Sequence, residues 1–320
     1  MQLFRKKAKS IGLTGVTTGP SFVAIAHVVN ASDKPKLTHC ERVNLQPKQS
    51  AAEVLTRLVD DLGLAGSACN YVLGAGDYNL HLMETPQVEA HEMRSALRWK
   101  LKDLLDMKVD AAALELFHVP DDAYRGRTDM TYVVATAKSR IRKIVEMTTD
   151  SGLDLAVIDI PELVMKNLSD YFLDDEHGLA FIDLRTTGST LNLTRGGDLY
   201  LTRRISTQLD PGVMQSPEWE SIRDRLVLEI QRSLDYYESQ MGQPQIAQVV
   251  IAPRVSDASA IASVLDNSLN ARVRAMDIAE KLDSEPALTM ELQQTCMSVI
   301  GAALRNSVPA DAGNAEAEAA

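Results

Sequence analysis

The stretch Phe181-Ile-Asp183-Leu-Arg185-Thr-Thr-Gly188-Ser-Thr190-Leu-Asn-Leu193 holds the densest set of side chains able to do chemistry. An aspartate that ends a buried apolar strand and runs into a tight Thr/Gly/Ser hairpin has the makings of a phosphate loop. Hairpin N–H groups and hydroxyls would face the anion while the carboxylate positions metal-bound water. The same residues also suit a plain β-hairpin in which Asp183 caps the turn. Other catalytic signatures are missing. There is no G-x-x-x-x-G-K-[ST] motif, and Gly74-Ala75-Gly76 lacks a third glycine three residues on. His91-Glu92-Met93-Arg94-Ser95 begins like a zinc-protease helix, but its fifth residue is serine, so a second imidazole on the same helix face is lacking. The six histidines and three cysteines show no ligand spacing, and no G-x-S-x-G elbow nominates a nucleophile.

The elements that must position these residues can be read from composition and periodicity. With 320 residues, 45% hydrophobic and 24% charged, the chain suits two ordinary globular domains. A formal charge of -11 argues against a general polyanion-binding surface and so against nucleic acid. No window supplies the roughly 20 apolar residues of a membrane span. The basic start Met1-Gln-Leu-Phe-Arg-Lys-Lys-Ala-Lys9 lacks the apolar core of a secretory signal. Cys40, Cys69 and Cys296 are odd in number and far apart, which fits buried thiols in a reducing, cytosolic compartment. Residues 306–320 offer nothing to bury and are expected to be disordered.

Alternation and turn residues predict a three-strand meander over 10–16, 22–30 and 36–43, then a helix over 49–62 and a strand over 70–73. Next comes a β-α-β-β-α-β run over 78–84, 89–105, 113–119, 129–137, 139–149 and 155–160, which reads as a small two-layer sandwich. Its loop 121–129 reads as a polar hairpin turn rather than a site. A helix over 161–172 leads to a second meander over 179–184, 189–195 and 198–205. A long helix follows, with Ser216 as N-cap and Pro217 at its first position, apolar along one face to about Gln240. Strands over 248–253 and 271–276 and helices over 258–265 and 289–304 complete the chain. The opening device thus recurs, a structural duplication without visible sequence repetition.

With that duplication in view the chain resembles the PilM family of actin-like proteins, most closely its MshI branch in mannose-sensitive haemagglutinin (MSHA) pilus systems. The resemblance covers about 10–305. It is carried by Glu92-Met-Arg-Ser-Ala-Leu-Arg-Trp99-Lys-Leu-Lys-Asp-Leu-Leu-Asp106, by Phe181–Leu193, and by Glu229-Ile-Gln-Arg232-Ser-Leu-Asp-Tyr-Tyr-Glu238. It implies an α/β, actin-like fold of the FtsA/PilM type, with duplicated RNase H-like domains. The first domain would be 1–76 plus part of the helix at 289–304, the insertion, called 1C in FtsA, 77–160, and the second domain 161–305. It further implies a cytoplasmic component of a type IV pilus machine, able to form a ring. That component would bind the N-terminal tail of a PilN-like bitopic inner-membrane protein and reach the membrane only through it.

The sequence departs from the family's nucleotide loops. Its ATP binders open with Gly-Leu-Asp-Ile-Gly, where this chain has Gly12-Leu-Thr14-Gly-Val16, so a threonine stands for the first carboxylate. The second loop, Asp-Ile-Gly in the family, is Asp183-Leu184-Arg185, and the glycine pair of the third is replaced within Ile251-Ala252-Pro253-Arg254-Val255. Proline removes a donor and alanine adds a Cβ where a ligand would need room. The resemblance therefore leaves a vestigial nucleotide site made of Asp183, Arg185, Thr186, Thr187, Gly188, Ser189 and Thr190, with Glu229 and Arg232 on the base side. No catalytic residue, metal ligand or resident cofactor is assigned. The alternative is a working ATPase that uses ATP and Mg to gate assembly, with Asp183 on the metal and Thr186, Thr187, Ser189 and Thr190 around the phosphates. A sugar or acetate kinase ranks last, since Asp183 is the only carboxylate the cleft offers.

Overall fold

The computed structural model describes residues 12–31, 34–124, 129–186, 188–210, 212–254 and 257–305. The basic N-terminal residues, Thr187 and the tail expected to be disordered lie outside them. In chain order the elements are β1 (Leu13–Gly19), β2 (Phe22–Ala31), β3 (Lys34–Asn44), α1 (Ala51–Asp61), β4 (Ala68–Val72), β5 (Tyr78–Glu84), α2 (Ala90–Leu101), β6 (Ala112–His118), β7 (Met130–Ala137), α3 (Lys138–Asp150) and β8 (Asp154–Asp159). Then come α4 (Pro161–Phe172), β9 (Leu179–Asp183), β10 (Ser189–Arg195), β11 (Asp198–Ile205), α5 (Trp219–Asp235), β12 (Gln248–Ile251), α6 (Ala258–Asp266), β13 (Arg272–Ala275), β14 (Asp283–Ser284) and α7 (Met290–Ala303).

Local chemistry explains the boundaries. Ser50 caps α1 in a reciprocal box with Glu53, and Val54, Leu55, Leu58 and Val59 turn inward. Pro161 opens α4 where its missing N–H costs nothing. The long helix starts later than expected, at Trp219, because Ser216 instead closes a short turn and its Oγ accepts from Glu218 N at 3.2 Å. Its last turn, Tyr236–Gln240, widens into a π-helix. The helix expected over 89–105 stops at Leu101. Arg98 ties the chain that follows back onto it, donating to Val109 O at 3.0 Å and Ala112 O at 3.5 Å.

The duplication is written in the strand order. The first sheet runs β14-β3-β2-β1-β4-β8 and the second β11-β10-β9-β12-β13. In each lobe an antiparallel three-strand meander is followed by two strands parallel to its first. The insertion departs from the sandwich expected over 77–160. Its sheet is β5-β7-β6, and β8 pairs instead with β4 in the first lobe, where Ile144 of α3 also packs. The β-α-β-β-α-β order is present, but the final α and β return to the lobe from which the insertion departs. The same happens at the C-terminus, where β14 joins β3 and α7 lies across the first sheet.

That last contact is very close. A Cβ on Gly15 would stand 1.9 Å from Val299 O, so only glycine lets α7 lie this near to β1. Asn70 Nδ2 donates to Ala302 O at 3.0 Å and Asn167 Nδ2 to Gly301 O at 3.2 Å, which satisfies carbonyls at the end of α7. One apolar cluster shared by α4, α7 and both sheets joins the lobes.

Candidate functional site

Asp183 ends β9 at the carboxyl edge of the second sheet, the edge where open α/β sheets hold ligands. Its side chain is fully buried. Arg185 donates to Oδ2 from Nε at 2.7 Å and again from a terminal nitrogen. Arg254, in the loop after β12, donates to Oδ1 at 3.0 Å and to Oδ2 at 3.4 Å. Burial alone would push the Asp183 carboxyl up, but the charges of Arg254 and Arg185 hold it below the usual range. Arg254 also reaches the other lobe, donating to Ser298 Oγ at 2.8 Å and Gln294 O at 3.4 Å on α7. Both carboxylate oxygens are thus engaged by guanidinium groups.

The remaining described residues of the hairpin are brought together around its turn. Ser189 Oγ accepts from Arg185 N at 3.1 Å and donates to Thr207 O at 3.2 Å. Thr190 is buried opposite Asp183 in the β9–β10 ladder, Thr186 is an exposed turn residue, and Gly188 has a φ of 105° that favours glycine. Glu229 is committed elsewhere. Its carboxylate accepts from Ser206 Oγ and Thr207 Oγ1, each at 2.6 Å, and from both backbone amides at 3.2 Å, closing the end of β11. Burial would raise it, but those hydrogen bonds hold it below the ordinary range. Arg232 is exposed on α5 and has no part, among the described residues, in the bonds around Asp183. Glu229 and Arg232, expected on the base side, thus lie on α5 apart from the bonds around Asp183.

The first loop needs a correction. Thr14 does not stand where Asp183 stands: it lies inside β1, buried, with its hydroxyl 2.9 Å from His27 Nδ1 and 2.6 Å from Ser67 Oγ, toward the amino ends of the parallel strands. Asp183 follows the Ile182–Ile251 pair, and the residue that likewise follows the Val16–Tyr71 pair is Thr17, whose hydroxyl donates to Val72 O at 2.9 Å. Sequence reading also missed Arg254 as a partner of Asp183 and Glu162 as a buried acid, although both are visible as charges beside predicted strand and helix ends. Tyr78 donates to Glu162, and burial beside that carboxylate pushes the Tyr78 hydroxyl up. Asp159, closing β8, is buried against Arg305 Nη1 at 2.6 Å and pushed up by that burial.

A second feature lies between the insertion and the first lobe. A groove of about 450 Å³ runs between β6 and β8, walled by Leu114, Leu116, Phe117, Val157, Ile158 and Leu163, with Asp159 and Arg305 also lining it. Among the described residues both strands are the outermost of their sheets, β6 beside β7 and β8 beside β4. Two strand edges flank one apolar trough.

No family model matches the chain, and no curated protein sequence matches it. Among solved structures it is similar to a chain of a PilM-PilN type IV pilus biogenesis complex, with a TM-score of 0.64 and 17% identity over 93% of this chain and 98% of that one. It also matches the cytoplasmic domain of EpsL, an inner-membrane component of the type II secretion system of Vibrio cholerae, with a TM-score of 0.48 and 11% identity over 90% of this chain and 94% of that one. A Bacteroides thetaiotaomicron protein of actin-like ATPase fold and unknown function gives 0.49 and 9%, over 92% and 99%. The fold is actin-like, two RNase H-like lobes with one insertion.

Proposed function

We propose that the chain is a non-catalytic actin-like scaffold of a type IV pilus assembly machine, of the MSHA type. In this reading it works at the cytoplasmic face of the inner membrane by holding the N-terminal cytoplasmic tail of a PilN-like single-span protein. The observation that carries the reading is the groove between β6 and β8. An extended tail can add to either edge, with main-chain bonds giving affinity and the apolar walls selecting alternate side chains. Pairing along the whole of β8, which has 6 residues, would engage a tail segment of that length at roughly 3.3 Å per residue. The PilM-PilN complex is a fold relative whose name records such a partnership, which supports the choice of partner. Among the described residues no helix is long and apolar enough to cross a membrane, in keeping with attachment through the partner.

The cleft supports the non-catalytic half of the proposal. A magnesium nucleotide needs a free carboxylate beside a loop that backbone and phosphate can share, and these residues do not fit it. Asp183 is neutralised by two arginines, Arg185 stands where close approach is needed, and Pro253 offers no N–H. An ATPase that gates assembly would have to displace Arg254 from both Asp183 and Ser298.

The test is capture of the full chain on an immobilised synthetic peptide copied from the tail of a PilN-like protein. We expect saturable capture, weakened about tenfold or more by Val157→Asp, which places a charge in the apolar wall. Equal capture of the variant and the natural chain would sink the groove reading.

A further inference from the structure

Loop 121–129 reads from sequence as a polar hairpin turn, yet its described start, together with Val119 before it, is built into the second lobe. Val119, Ala123 and Tyr124 are buried, and with Tyr132 of β7 they share one apolar cluster with Leu191, Leu193 and Tyr200. Asp122 sits at the centre of the polar contacts. Tyr200 OH donates to its Oδ1 at 2.7 Å, Arg195 pairs with its Oδ2, and Gln243 Nε2 donates to its backbone carbonyl at 2.6 Å. Arg195 is held in turn by Gln243 Oε1 at 2.6 Å and Tyr200 OH at 2.7 Å. Nearby, the Tyr132 hydroxyl accepts from Thr202 N at 3.0 Å on β11, the outermost strand of the second sheet among the described residues.

We infer that the Asp122–Arg195–Tyr200–Gln243 network is a latch that fastens the insertion to the second lobe and so fixes the opening of the groove. The connection is covalent and short: β6 ends at His118 and the latch begins at Val119. One groove wall is therefore tied to the second lobe, while the other, β8, belongs to the sheet of the first lobe. The insertion also packs on the first lobe through Leu80, Phe117 and Val134, so a change in how the lobes sit that carries it with the latched second lobe widens or narrows the gap between β6 and β8. Closed, the latch presents a preformed groove. Released, it lets the insertion sample positions in which the two edges no longer face one tail, and the apparent affinity falls by the fraction of molecules that remain competent. The gating of the groove rests on the tail-binding reading above; the latch itself does not.

Hydrogen exchange of the full chain tests the latch without a ligand. In Asp122→Ala we expect amides of 112–118 and 198–205 to exchange about tenfold faster, while those of β9 and β12 keep their natural rates. Tyr200→Phe, which removes a single hydroxyl and preserves the packed ring, should show the same pattern more weakly. Natural exchange in 112–118 and 198–205 in both variants would overturn the latch. The tail peptide then tests gating: Asp122→Ala should weaken its binding about tenfold, and unchanged affinity alongside faster exchange would overturn the gating. If the natural chain binds no tail peptide, the groove reading fails, while the exchange result still decides the latch.

Discussion

Replacing Asp183 with asparagine separates a structural counter-charge from a ligand-binding carboxylate. The substitution keeps size and shape but leaves Arg185 and Arg254 without the anion between them, inside a site where the residue they face is fully buried. Removing one partner of a buried ion pair costs about 3–5 kcal/mol, since the remaining charge stays desolvated. At about 2–4 °C per kcal/mol for chains of 150–250 residues, Asp183→Asn should melt roughly 6–20 °C below the natural protein. The pH dependence follows from the depressed carboxyl. Its contribution is fully present above the unfolded value of about 3.9 and is lost as pH falls through the still lower folded value. The gap between the two proteins should therefore be constant from about pH 5 to neutrality and shrink only below about pH 4. Thermal and urea denaturation with matched buffers read both quantities. A variant as stable as the natural chain, or more so, would refute the reasoning, because removal of a carboxylate kept for ligand chemistry commonly stabilises a protein.

Three further outcomes follow from the packing and the hydrogen bonds. Gly15→Ala should be the most damaging small substitution, because its Cβ meets Val299 O at 1.9 Å; Gly301→Ala meets side-chain atoms first, Val164 Cγ1 at 2.7 Å and Leu168 Cγ at 2.9 Å, with Val164 O at 3.0 Å, and should cost less, about 1–3 kcal/mol in urea titration. Glu229→Ala leaves two hydroxyls and two amides at 206–207 without their acceptor and should cost about 1–3 kcal/mol at neutral pH; because its carboxyl is held low, that deficit should shrink on acidification through its folded value. Burial pushes the Cys69 thiol up to about 12, so mass mapping after thiol labelling at pH 8 should find it modified only as fast as the chain unfolds.

The element order and the duplication were legible because periodicity survives in single strands and helices. Strand partners were not. Nothing local distinguishes a β8 that closes the insertion from a β8 that extends the first sheet, since the pairing Ala68↔Asp154 spans the entire insertion. Asp183 was legible as an acid ending an apolar strand, whereas Arg254 was passed over within a stretch read for the glycines it lacks. Thr14 was misplaced because Gly12-Leu13 imitates the opening Gly-Leu of the family's motif, whereas the register of β1 against β4 puts Thr17 after the last pair. Loop 121–129 was read as a hairpin turn from its polar, Gly-containing composition, and the signal that could have corrected it is the adjacent Ala123-Tyr124, which the structure buries in the second lobe.

Thermal denaturation of the full chain with Mg·ATP, with the tail peptide and with both tests the division of labour between cleft and groove. A ligand at 100 times its Kd stabilises by about 2.7 kcal/mol, a rise of roughly 5–11 °C. We expect that rise with the peptide alone, no shift with millimolar Mg·ATP, and no added effect of the two together; a rise with Mg·ATP, or none with the peptide, would contradict a scaffold that binds through its groove and not its cleft.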